Sequence, residues 1–254
     1  MTSTVQSPSV NNSNKSGFPR LFILNRNYSS WSLRAWLALR ILKVDFETEV
    51  LIVGTPDIPD LGSPAANKLM LRAGPTAKVP ALHVDKGTGD KHIVFESLAI
   101  MEYLAEDYPH LWPSDRFDRA YARSLAAEMA TGFGAIRNYA MNLRENRDFD
   151  PEMYNDSVQK NILRLSNIWE ELRSKAVGEE GDEGYLFGRF TALDAMYAPI
   201  MFRLRSYGLR SKVQGKNASA YVEWILNNEY MKEWEEHASH ETEIIPSDEL
   251  YEKK

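Results

Sequence analysis

The chain has 254 residues, 43% hydrophobic and 26% charged, enough for one large domain or two modest ones with real cores. A formal net charge of −6 and a pI near 5.5 leave no broad basic surface to displace phosphate counterions, which argues against a nucleic-acid binder and favours small molecules or proteins as partners. With no cysteine, the chain is excluded from disulfide frameworks, CxxC redox chemistry and thiolate metal sites, so any thiol chemistry must use a sulfur brought by a substrate.

Residues 1–18 are rich in Ser and Asn and lack an apolar core, so they read as a disordered tail and not as a signal or transit peptide. No apolar run approaches the roughly 20 residues that span a bilayer, and a cytoplasmic location is expected. From Arg20 the pattern is strand, helix, strand, helix, strand, strand, helix. "RLFILN" suits a buried strand, and Leu33, Trp36, Leu37, Ile41 and Val44 follow at helical spacing. "FETEVLIV" alternates at period two, while "KVPALHV" and "HIVFE" flank the turn-rich "DKGTGD" as a hairpin does. "SLAIMEYLAEDY" forms the last helix of this unit.

After Pro113 the strand signals stop. Val158, Ile162, Leu165, Trp169 and Leu172 step by four and three along one helix face. The expected fold is α/β followed by all-α, with a mixed four-stranded sheet and then a helical bundle. The boundaries are a tail at 1–18, a first domain at 19–109, a linker at 110–116, a helical domain at 117–241 and a tail at 242–254.

Three places could carry chemistry. In "NYSSWSLR", Tyr28, Ser29, Ser30 and Ser32 stand where a strand becomes a helix, and the free N–H groups of a helix start favour anions. In "AGPTAKVPAL", Pro80 opens a strand. The plainer reading is an ordinary strand start, since only about 5% of X-Pro bonds in folded proteins are cis. In "FESLAI", Glu96 and Ser97 could hold an amino-acid-like ligand, or could serve only as first-turn acid and N-cap.

Thr191 and Asp194 have capping-box spacing, with Phe190 at the staple position and no catalytic role assigned, and Pro199 implies a kink or an unsatisfied carbonyl within that helix. His237 and His240, near Glu241, read as solvated side chains, so no metal is expected. Walker A, GxGxxG and GxSxG sequences are missing.

The order of these pieces is more specific than any one of them. "YSSWSLR" after a first strand, "KVPAL", "ESLAIMEYLAE" and "TALDAMYAPI" together resemble the soluble glutathione transferase family over roughly Arg20 to His240. The likeness is greatest to the serine-type zeta and tau classes and to bacterial transferase-like proteins sharing "NYSSWSLR". The resemblance implies a thioredoxin-like first domain that binds glutathione and a helical domain that lines the pocket for a hydrophobic electrophile.

It further implies that Ser29 activates the glutathione sulfur, with Tyr28 and Ser30 as rivals for that role. Lys78, Val79, a cis Pro80, Glu96 and Ser97 would hold the rest of the tripeptide, and Trp31, Met129, Phe133 and Arg137 would wall the second pocket, though the last three equally suit core packing. A homodimer with a detoxification role follows from the same resemblance. The alternatives are a non-catalytic interaction or regulatory domain and a zeta-like glutathione-dependent isomerase. Trp31 stands where the zeta pattern has cysteine and the tau pattern phenylalanine.

Overall fold

The structure is a computed structural model that describes residues 19–85, 90–144 and 148–249. The tail expected over 1–18, most of the "DKGTGD" turn (86–89) and residues 250–254 lie outside the described residues.

Strand β1 (Arg20–Leu24) sends Leu21 and Ile23 into one apolar cluster and Phe22 and Leu24 into another. Both faces are buried, which is why its sequence is a continuous apolar run and not an alternation. Helix α1 (Ser30–Ile41) follows, then β2 (Glu47–Leu51), which pairs parallel to β1. Helix α2 (Pro64–Met70) starts with Ser63 as N-cap, accepting from the Ala66 N–H, and with proline in its first turn. Strands β3 (Ala81–Asp85) and β4 (Lys91–Phe95) are antiparallel neighbours, and β3 runs antiparallel to β1. The sheet order is β2-β1-β3-β4, the mixed four-stranded sheet expected, and α3 (Ser97–Asp107) completes the thioredoxin-like unit.

A short 3₁₀ turn at Pro109–Leu111 leads into the helices α4 (Arg116–Thr131), α5 (Gly134–Arg137), α6 (Asp156–Ala176), α7 (Ala192–Ser206), α8 (Lys216–Leu226) and α9 (Glu229–Ser239). The stripe Val158, Ile162, Leu165, Trp169 and Leu172 on α6 is buried. Helix α7 is the centre of this half, buried along nearly its whole length and continuous through Pro199. It packs directly on α1, so the two halves share one apolar cluster. Among the described residues no helix is long and apolar enough to cross a membrane.

The capping box forms as the spacing implied, and Asp194 does more than cap. Its fully buried carboxylate accepts from the N–H groups of Leu186 and Thr191, at 3.0 and 2.8 Å, and from the hydroxyls of Thr191 and Tyr221, both at 2.9 Å. Burial pushes its carboxyl up against the pull of those four donors. The loop before α7, the helix start and α8 are thereby tied to one side chain. Asp194→Ala leaves four donors without their acceptor and is expected to lower unfolding stability by about 3 kcal/mol or more. Thr191→Ala should cost only about 1 kcal/mol. Urea unfolding of both variants checks the order, and equal small losses would contradict it.

Candidate functional site

Where β1 gives way to α1, the helix begins at Ser30, two residues before Ser32. Ser29 is the N-cap: its Oγ accepts from the Ser32 N–H at 3.4 Å and lies 2.6 Å from Ser32 Oγ. Ser32 Oγ in turn accepts from the Leu24 N–H at 3.2 Å, so two hydroxyls join the last residue of the strand to the first turn of the helix. The three rival hydroxyls have different neighbours. The Tyr28 hydroxyl donates to Glu249 Oε1 at 2.5 Å, and burial together with that carboxylate pushes the phenol well above its ordinary range. Ser30 Oγ accepts from Arg203 Nη2 at 3.3 Å. Ser29 has only its partner serine.

These residues open onto a cavity of about 480 Å³ that is also lined by Trp31, Lys78, Val79, Pro80 and Glu96. The Val79–Pro80 bond is cis and lies just ahead of the ladder, whose first paired residue on β3 is Ala81. Helix α3 begins at Ser97, so Glu96 and not Ser97 is the cap residue; it sits at φ +69° with ψ 130° and makes no capping bond. Left-handed backbone is costly for a residue with a β-carbon, and Ala77 on the same cavity also has φ +50°. Two such residues on one cavity wall mark it as a functional candidate. A larger cavity of about 710 Å³ lies between the 109–119 segment and the 172–191 region, and none of the expected site residues lines it.

Several expectations change. Ser97 is buried with its hydroxyl 3.8 Å from the Met196 sulfur and does not line the cavity. Met129 is fully buried in the main core, and Phe133 is nearly so, which settles both as packing residues and not pocket walls. Arg137 lies behind Trp31: its guanidinium carbon is 4.9 Å from the indole centroid, and that of Arg34 is 4.2 Å from it. Glu241 turns to Arg26 and to no histidine, while His240 Nδ1 sits 2.9 Å from the Glu236 carbonyl.

Two features were missed in the sequence. The first is a buried cationic wall. Arg34 is 2% exposed, donates from Nε to the Met196 carbonyl, and leaves Nη1 without a partner. Burial, with Arg203 and Arg137 nearby, pulls Arg34 well below the usual arginine range. Burial brings Arg203 down to about 10. At that value Arg203 remains a cation at neutral pH, and arginine as a residue type stays charged in proteins.

The second is the segment 241–249, of which 242–249 were expected as tail. Glu241 pairs with Arg26 and accepts from the backbone N–H of Arg26 at 2.6 Å, Ile245 is fully buried among Phe22, Leu24 and Met70, and Ser247 donates to Asp60 at 2.7 Å. This strap brings Asp248 to the cavity. The apolar pair Ile244–Ile245 inside an acidic stretch was the available signal.

A family model described as "Glutathione S-transferase, N-terminal domain" matches residues 28–107, which include the junction, the cis-proline and the Glu96 turn. Residues 28–107 are thus similar to the N-terminal domain of glutathione transferases. It is 35% identical over 122 residues to a probable maleylacetoacetate isomerase of Caenorhabditis elegans, a match covering 47% of this chain and 50% of that protein. The chain thus spans about half the length of that relative. It is 29% identical over 169 residues to maleylacetoacetate isomerase of Mus musculus, covering 65% of this chain and 73% of the mouse protein. A Burkholderia glutathione transferase homolog solved with bound glutathione superposes with a TM-score of 0.59 at 21% identity, over 88% of this chain and 98% of that one. These matches agree with the thioredoxin-like sheet followed by helices seen in the structure.

Docking of the strap depends on Gly54, which sits at φ +93° with the Ile244 backbone against the place a β-carbon would take. Gly54→Ala is expected to undock residues 241–249 and cost about 2 kcal/mol of stability. Faster proteolysis at the C-terminus with a lowered melting temperature would show this, and wild-type protection would contradict it.

Proposed function

We propose that the cavity binds glutathione and holds its sulfur as a thiolate for attack on a small electrophile, making the protein a glutathione transferase. The observation that carries this reading is the convergence of Ser29, Lys78, Val79–Pro80 and Glu96 on one cavity in a family that binds this tripeptide. Lys78 is exposed there and suits a carboxylate of the tripeptide, and Glu96 suits its ammonium. The backbone of Val79, just outside the ladder, is free to pair with an extended peptide.

The sulfur belongs at Ser29. A free thiol with pKa near 8.5 is only a few per cent ionised at pH 7, and lowering that value by about two units requires roughly 2.7 kcal/mol. One hydrogen bond to the sulfur plus the helix start supplies an effect of that size. Hydroxyl protons rotate, so the Ser29 proton can turn from Ser32 to the sulfur while the Ser32 proton takes over the 2.6 Å contact. No heavy atom need move. Ser29 acts as a donor and not as a nucleophile, because no histidine lines the cavity to serve as its base. Ionisation yields at most about 30-fold more thiolate at pH 7, so positioning of the electrophile must supply the rest.

A second reading has its own support. Arg34, Arg137 and Arg203 stand behind Ser30 and Trp31 and, among the described residues, form no salt bridge, which favours an anionic second substrate over a neutral one. The relatives are named for isomerising maleylacetoacetate, an acid, and glutathione-dependent isomerisation of such a substrate fits this wall. The homodimer reading draws support from Ile93, Phe95 and Tyr103, large side chains exposed on β4 and α3, and sedimentation velocity reads it.

Ser29→Ala is expected to lose most conjugation of glutathione to an activated aryl halide while keeping the glutathione-induced thermal shift, and Ser30→Ala to keep both. Full activity in Ser29→Ala would reject its role. A folded wild-type protein with neither thermal shift nor turnover would favour the non-catalytic alternative. Arg137→Gln should raise KM for maleylacetoacetate several-fold with little change for the aryl halide, and equal effects on the two would count against an anionic substrate.

A further inference from the structure

The thiol proton needs an acceptor, and Ser29, itself a donor to the sulfur, is not one. Among the cavity-lining side chains, the carboxylates are Glu96 and Asp248. Glu96 is exposed at the start of α3, whereas Asp248 arrives on the strap and lines the same cavity as Ser29. Its neighbour Glu249 is bonded to Tyr28, which immediately precedes Ser29, so the strap crosses the junction at the residue that caps α1. The crossing is fixed on both sides, by Ile245 in the core below and by Ser247 on Asp60 beyond. Among the described residues no donor reaches the Asp248 carboxylate, which leaves its lone pairs for a ligand.

We propose that Asp248 is the base that takes the thiol proton as glutathione binds. This rests on the glutathione reading above. In the step, the S–H bond breaks, a new O–H bond forms on the Asp248 carboxylate, and the electron pair stays on sulfur as a thiolate that accepts from the Ser29 hydroxyl. The charge of the pair is conserved, so no additional anion is created in the cavity. Asp248 returns the proton to water at the cavity mouth before the next cycle.

The surroundings suit that role. Burial pushes the Asp248 carboxyl up to about 6, with Asp60 from the loop before α2 and Glu249 on the strap adding to the rise and Arg203 of α7 opposing it. Tyr28, Lys78 and Glu96 are the other titratable groups on the cavity. A base of this strength is ionised at pH 7 yet closer to a thiol than an ordinary carboxylate, which is the match general-base catalysis requires.

The pH dependence of kcat/KM for glutathione tests this in the full-length protein, using an activated aryl halide. Wild type should rise with pH to a break near 6. Asp248→Asn should lose that break, follow the thiol's own ionisation at higher pH instead, and fall by up to about 30-fold at pH 7, with the thermal shift by glutathione kept. Ser247→Ala loosens the strap but leaves the carboxylate, and it should keep the break. An Asp248→Asn profile that retains the wild-type break overturns the assignment, as does a Ser247→Ala variant that loses it equally. Absence of any glutathione shift in wild type would instead overturn the underlying reading and this one with it.

Discussion

The contact between Ser29 and Ser32, tied to the backbone N–H of Leu24, fixes where α1 begins relative to the end of β1. Everything functional is measured from that point. Were the helix to start at Ser32, Ser29 would leave the cap and Trp31 would leave the first turn. Arg34 could no longer reach the Met196 carbonyl on α7. Because α1 is buried between the sheet and α7, it has no freedom to adjust, and the register of one turn sets the shape of the cavity.

The cavity is built by the thioredoxin-like half and closed by one residue of the C-terminal strap. The thioredoxin-like half contributes the junction, the cis-proline turn and Glu96. Behind Ser30 and Trp31, Arg34 from that half lies near Arg203 from the helical half, and the strap supplies Asp248 to the cavity and Glu249 to the Tyr28 hydroxyl. Tyr28 is bonded to Glu249, which occupies its hydroxyl proton.

The parts legible in the sequence were those with local causes. The buried strand, the amphipathic α6, the hairpin and the Thr191–Asp194 box all follow from patterns within a few residues. The cavity-lining quartet of Ser29, Lys78, Pro80 and Glu96 came through family resemblance, since each taken alone reads as a cap or a strand start. What escaped depends on contacts far apart in the chain. Ile245 looked like part of a tail because its partners, Phe22 and Met70, lie about 220 and 175 residues earlier. Arg34 and Arg203 are buried by the packing of α1 on α7, which no local pattern announces. Met129 matched a pocket wall and a core position equally, and burial decided for the core.

The most direct measurement is a structure of the protein with glutathione bound. The sulfur is expected within hydrogen-bond reach of Ser29 Oγ, roughly 3.3 Å away, with the γ-glutamyl end toward Glu96 and the strap in place. A sulfur beside Tyr28 or Ser30, or glutathione bound outside this cavity, would contradict the account.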